Sequence, residues 1–210
     1  MIPGPNYVYK CPNCGNLLTK GSLNSGNTFG GKLFSDGKRI APMLPEFPDL
    51  TKCKKCNTIF WLSKLKEIGT YEWEDEENPE WQIADNAEFL NVDDYIVAIK
   101  TGIAENEEEK LIIRRNIWWA YNDRVRNNHT MFNDKEDELN WEINTKALMS
   151  LLDQTDMNQI IMIAELNRNL GNFEKCISTI KSIDDEELNW LQEKFLTECE
   201  RKNKHVIELN

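Results

Sequence analysis

No stretch of this 210-residue chain approaches the roughly eighteen consecutive apolar residues that a membrane-crossing helix requires, so no membrane contact is expected. Met1 is followed by Ile-Pro-Gly-Pro, without the apolar core of a secretory signal. The expected setting is therefore cytoplasmic, where thiols stay reduced. Histidine is scarce. His129 sits in a polar stretch and His205 in a charged one, and neither belongs to a His-Glu-x-x-His pair or stands beside a Ser or Cys nucleophile pattern. The glycines at 21, 26, 30 and 31 lack the G-x-x-x-x-G-K-[ST] spacing of a phosphate loop. Acidic runs such as Glu107-Glu108-Glu109 read as the first turn of a helix, where carboxylates favour the positive end of the dipole, rather than as an acid–base pair. With no catalytic constellation in view, the chain is read as non-enzymatic.

What is present is unevenly distributed. The formal charge is −11, yet residues 1–66 carry ten Lys/Arg against three Asp/Glu, whereas 67–210 carry 15 against 33. A basic front has two uses: it meets an anionic partner such as nucleic acid, or it lies against the acidic part of its own chain. Hydrophobic content of 40% allows a modest core, and seven tryptophans supply large apolar side chains. Cys176 and Cys199 fall within apolar helical stripes and read as small buried hydrophobes.

The other four cysteines form two pairs, Cys11-Pro12-Asn13-Cys14 and Cys53-Lys54-Lys55-Cys56, followed by Gly15 and Asn57. A two-residue spacer lets both sulfurs of a pair face one ion, and two such pairs make a tetrahedral thiolate cage of the kind Zn²⁺ prefers. Redox dithiols and disulfides are the competing uses. A redox pair usually opens a helix, whereas these lie between extended Gly/Pro-rich stretches, and a reducing compartment opposes disulfides. Structural Zn²⁺ held by Cys11, Cys14, Cys53 and Cys56 is the expected cofactor. The spacer from Gly15 to Lys52 exceeds the about 15–20 residues of the compact four-cysteine pattern, so it must hold strands of its own.

Alternation at Tyr7–Lys10 predicts a strand into the first pair, and Thr58–Leu62 a strand out of the second. Residues 32–40 read as a hairpin around Asp36-Gly37. The acidic stretch from Glu72 to Glu80, with Pro79, reads as a module boundary. Beyond it the period turns helical: 91–100, 106–126, 136–152, 156–170, 173–183 and a last helix after Asp184-Asp185. Six helices with short links suggest antiparallel hairpins in a row.

Gly171, Asn172, Phe173 and Cys176 stand at the turn between two of these helices, with Ala164 at the close-packing position of the first. This stretch resembles one tetratricopeptide repeat, which implies a helical hairpin that recognises protein segments. A second internal echo is Glu138-Leu139-Asn140-Trp141 against Glu187-Leu188-Asn189-Trp190. The two cysteine pairs resemble a zinc ribbon, a family that includes electron carriers, nucleic-acid modules and structural modules.

The expected fold is α+β: a small β-rich zinc ribbon over 1–75, an acidic linker over 76–90, and a tetratricopeptide-like helical hairpin array over 91–205. The expected function is a cytosolic adaptor that presents its helical part to a protein or peptide partner, a basic segment by charge. Trp118, Trp119, Tyr121 and Arg124 are candidate partner-binding residues, because neighbouring tryptophans cannot share one core stripe and these types favour binding hot spots. The alternative is a nucleic-acid-associated protein that touches phosphates with Lys32, Lys38, Arg39, Lys54 and Lys55.

Overall fold

The computed structural model describes residues 1–72 and 78–209. The acidic run at 73–77, where the sequence places part of the module boundary, lies outside the described residues. In chain order the strands are β1 (Ile2–Pro3), β2 (Asn6–Lys10), β3 (Leu17–Lys20), β4 (Leu23–Ser25), β5 (Lys32–Leu33), β6 (Arg39–Ile40), β7 (Leu50–Lys52), β8 (Ile59–Trp61), β9 (Gly69–Tyr71) and β10 (Asp85–Asn86). The helices are α1 (Pro79–Gln82), α2 (Val92–Lys100), α3 (Glu107–Arg126), α4 (Lys135–Met149), α5 (Met157–Asn169), α6 (Phe173–Ile180) and α7 (Asn189–Glu200). The class is mixed α+β. The sequence predicts six of these seven helices and misses α1, a single turn with Pro79 at its first position.

The chain divides into two compact units: residues 1–31 with 40–103, and residues 32–39 with 104–210. In the first unit, antiparallel β2 and β3 are the centre of a four-stranded sheet ordered β10-β3-β2-β9, with β10 parallel to β3. Antiparallel β7 and β8 form a separate hairpin. Val8, Leu18, Phe60, Leu62 and Tyr95 are buried here. Burying side chains of this size contributes about 1.5–3 kcal/mol each. Trp81 packs against β9: a Cβ at Gly69 would fall 2.4 Å from its ring, so glycine is the residue that fits. Helix α2 starts where the Asn91 side chain accepts the Asp94 amide, and it ends before Gly102, whose φ of 73° suits a left-handed stop.

The second unit begins at the hairpin of β5 and β6. The sequence expects a two-residue turn at Asp36-Gly37. The loop is instead three residues, Ser35–Gly37, with Phe34 N–H donating to Lys38 O (3.0 Å) and only Gly37 left-handed, at φ 76°. Helices α3, α4 and α5 begin at Asn106, Asp134 and Asp156, each accepting the amide three residues on. Helix α3 packs on α4, α5 on α6 and α6 on α7. One apolar cluster joins Trp118, Leu148, Leu152 and Leu166; another joins Ala164, Cys176, Ile180, Phe195 and Cys199. Cys176 and Cys199 are thus core residues, and burial pushes both thiols up. The two Glu-Leu-Asn-Trp echoes differ in setting, since Trp141 is buried and Trp190 exposed.

Candidate metal centre

Each cysteine pair caps a hairpin of the first unit: Cys11 and Cys14 lie between β2 and β3, and Cys53 and Cys56 between β7 and β8. The two turns share one skeleton. Cys11 N–H donates to Asn16 O (2.8 Å) and Gly15 N–H returns to Cys11 O (3.0 Å). Cys53 N–H likewise donates to Thr58 O (2.9 Å) and Asn57 N–H to Cys53 O (2.8 Å). The closing residue of each turn is left-handed, Gly15 at φ 71° and Asn57 at 60°. Glycine and asparagine are the residues that tolerate this region, which explains the identity of the residue after each pair.

The pairs interlock across the hairpins. The buried cysteine of one turn meets the half-buried cysteine of the other: Cys11 Sγ is 3.6 Å from Cys56 Sγ, and Cys14 Sγ is 3.7 Å from Cys53 Sγ. All four sulfurs lie within 4.8 Å of one another, so a single metal ion could be held among them. Leu18, Phe60 and Leu62 surround the cluster and keep water from its inner side. The donors are unequally supported. Hydrogen bonds from the Thr58 hydroxyl, 3.2 Å from Cys56 Sγ, and from the Thr58 amide hold the Cys56 thiol down to about 5. The Asn16 amide also favours the Cys14 thiolate, but burial and the three neighbouring sulfurs together outweigh it and push Cys14 up to about 12. Four thiols this close can ionise together only where a cation offsets their charge, which is the chemical argument that the cluster could hold a metal ion.

A strap ties the two hairpins together. Strand β10 pairs with β3, Asn16 Nδ2 donates to Asp85 Oδ2 (3.0 Å), and Thr19 Oγ1 donates to Asn86 Oδ1 (2.8 Å). Two residues on, the Thr51 hydroxyl of β7 donates to Glu88 O (2.9 Å) and accepts from Glu88 N (3.2 Å). Lys54 and Lys52 then pair with Glu88 and Asp94, both at 2.6 Å. The sequence assigns 85–88 to a linker. It carries no apolar alternation, and its pairing runs through main chain and polar side chains, so periodicity gave no signal.

The other candidate residues lie as follows. Trp118 and Tyr121 are fully buried in the second unit. Trp118 Nε1 donates to Asn169 Oδ1 (2.8 Å), and the Tyr121 hydroxyl donates to Asp137 Oδ1 (2.6 Å). Arg124 pairs with Asp137 (2.5 Å), and half-buried Trp119 donates to Asp36 O (3.0 Å) beneath the Arg115 guanidinium. Each of the four thus makes at least one hydrogen bond or ion pair within the second unit. Among the five basic candidates, Lys54 pairs with Glu88, Lys32 with Glu208 (2.8 Å) and Lys38 with Asp123 (2.5 Å), while Arg39 and Lys55 are exposed. His129 and His205 are exposed too. Among the described residues, no helix is long and apolar enough to cross a membrane. Comparison of the chain with protein-family models, with curated proteins and with solved structures finds no match.

Proposed function

We propose that this protein is a non-enzymatic cytosolic adaptor in which a Zn²⁺-clamped module accompanies a helical unit that recognises a protein segment. The sulfur cluster carries the metal part. Zn–S bonds of about 2.3 Å in a tetrahedron put sulfurs about 3.8 Å apart, and the cross-hairpin separations are 3.6 and 3.7 Å. Four thiolates fill a tetrahedral ion, leave no place for an activated water and so favour a structural role. Two matched turns on separate hairpins support the zinc-ribbon resemblance. The tetratricopeptide resemblance is supported by Ala164 and Cys176 meeting in one core cluster across a turn closed by left-handed Gly171 (φ 79°).

The acid-rich composition of 67–210 favours basic segments as ligands. The nucleic-acid reading is weaker, because Lys32, Lys38 and Lys54 already face carboxylates of the same chain. Two measurements test the proposal. Elemental analysis of reduced protein should give one zinc per chain. An array of basic and acidic peptides probed with the zinc-loaded full chain should retain basic segments, with salt-sensitive binding. Retention of neither class would sink the adaptor reading, and salt-sensitive retention of RNA alone would replace it.

A further inference from the structure

The first unit carries a surface without charged side chains. None of residues 1–9, 21–31 and 40–45 is Asp, Glu, Lys or Arg, in a chain that is 29% charged. The structure brings these three segments together. Strand β1 pairs with β4, with Ile2 opposite Ser25. The turn after β4 lies on the third segment: Asn27 N–H donates to Met43 O (3.2 Å), and a Cβ at Gly26 would fall 2.4 Å from Met43 O and 2.9 Å from Leu44 Cδ1. Ser22 Oγ donates to Pro5 O (2.6 Å), Asn24 Nδ2 to Pro3 O (3.2 Å) and Leu44 N–H to Ala41 O (3.0 Å). These bonds hold the backbone, and the large apolar side chains are left outside. Ile2, Phe29, Ile40, Met43 and Leu44 are all exposed, Phe29 by 86% and Ile2 by 59%. Ile2, Pro3, Leu23, Pro45 and Phe47 line an open hollow of about 760 Å³, and Glu72 is the one charged residue among the described residues that line it.

Single exposed apolar side chains are ordinary, but five on one hydrogen-bonded, uncharged surface mark a place of contact. The chemistry of the surface selects its occupant. A charged group covering it would lose water and find no counter-charge. An anionic lipid surface repels a chain of net charge −11. What fits is a second apolar surface without charge, and another copy of this chain supplies one. Two chains of −11 repel wherever their acids face each other, whereas here two copies meet without bringing charged side chains together. The surface also offers both a projection and a recess. Phe29 stands out from the 27–31 turn, and the hollow beside Ile2 is large enough for an aromatic ring.

We propose that this surface is a self-association site: two copies of the chain meet through it in a two-fold dimer, with Phe29 of each copy seated in the hollow of the other. A two-fold axis places one surface on itself, so each projection finds a recess and both contacts form together. The proposal is independent of what the helical unit binds.

Sedimentation velocity tests this with the full chain, reduced and supplied with zinc, from low to high micromolar concentration. The unmodified protein should pass from one chain to two as concentration rises. Phe29→Asp and Leu44→Asp, both at exposed positions, should each raise the dimer dissociation constant at least about tenfold. A central aromatic carries much of an interface's energy, and a carboxylate buried without a partner opposes closure. Salt gives a readout that needs no variant to fold. Association through an uncharged surface should hold or tighten as salt screens the acids of the two chains. A protein that stays single at every concentration overturns the proposal, and so does a dimer that both folded variants leave intact or that salt dissolves. A single chain that sediments with vesicles of phosphatidylcholine, and ceases to with Phe29→Asp, would assign the surface to a lipid bilayer and reject the dimer.

Discussion

On the proposed zinc clamp, stripping the metal from the reduced protein should unfold one unit and spare the other. The four sulfurs join two hairpins that are otherwise held by the 85–88 strap and by a small cluster around Leu18, Phe60 and Leu62. Structural zinc bound by thiolates contributes about 10–16 kcal/mol of apparent free energy at neutral pH. That is comparable to the roughly 5–15 kcal/mol net stability of a whole domain, so the first unit should not survive the loss. The two apolar clusters of the second unit contain none of the four ligands and should persist. The assay is hydrogen exchange by mass spectrometry on zinc-loaded protein and on protein treated with chelator under reducing conditions. Peptides around Val8, Leu18 and Phe60 should lose protection by a thousandfold or more, since about 4 kcal/mol already corresponds to that factor. Peptides around Ile113, Leu148 and Phe195 should keep theirs. Protection of the first unit unchanged within about tenfold after complete metal removal would refute the clamp.

Three further outcomes follow from particular contacts. Thr58→Val removes the hydroxyl that supports the Cys56 thiolate and should weaken zinc affinity by about 10–100-fold in a chelator competition; an unchanged affinity would show that the hydroxyl plays no part. Asp36→Ala takes a buried carboxylate from Arg126, from Asn122 Nδ2 (2.8 Å) and from the Lys38 amide (3.1 Å). Breaking such a pair costs about 3–5 kcal/mol, readable by urea unfolding, and a loss below about 1 kcal/mol would contradict the burial argument. At Asp137, burial raises the carboxyl, but bonds from the Tyr121 hydroxyl, the Asn133 amide and the Arg124 guanidinium outweigh it and hold it below the usual range. A depressed folded value means stability present at neutral pH and lost as pH falls through that value, so the second unit should weaken below about pH 4. The acid-dependent part should shrink in Asp137→Asn, and an identical pH profile for that variant would dismiss the contact.

Local signals were legible where one residue type serves one geometry. Asn91, Asn106 and Asp156 start helices because a short polar side chain can accept an amide three residues ahead. Gly15 and Asn57 close the two cysteine turns because both tolerate a left-handed backbone. The Trp118–Arg124 run shows the opposite case. Its composition matches a binding hot spot, yet aromatic and guanidinium groups also serve to satisfy a polar interior, and only the tertiary structure shows the bonds that Trp118 makes to Asn169 and Arg124 to Asp137.

The sequence by itself determined the two cysteine pairs that could hold a metal ion, the α+β class and most helix starts, since each depends on residues a few positions apart. Tertiary structure alone decided that Cys11 meets Cys56 and Cys14 meets Cys53, that residues 85–88 tie the two hairpins together, and that the 32–39 loop belongs with the helices. Ser35 and Asp36 explain the last point. Their placement depends on hydrogen bonds to Glu165 and Asn122, more than 80 residues away in the chain. No local pattern records a bond of that span, because the free energy that selects it arises only when both groups lose water together.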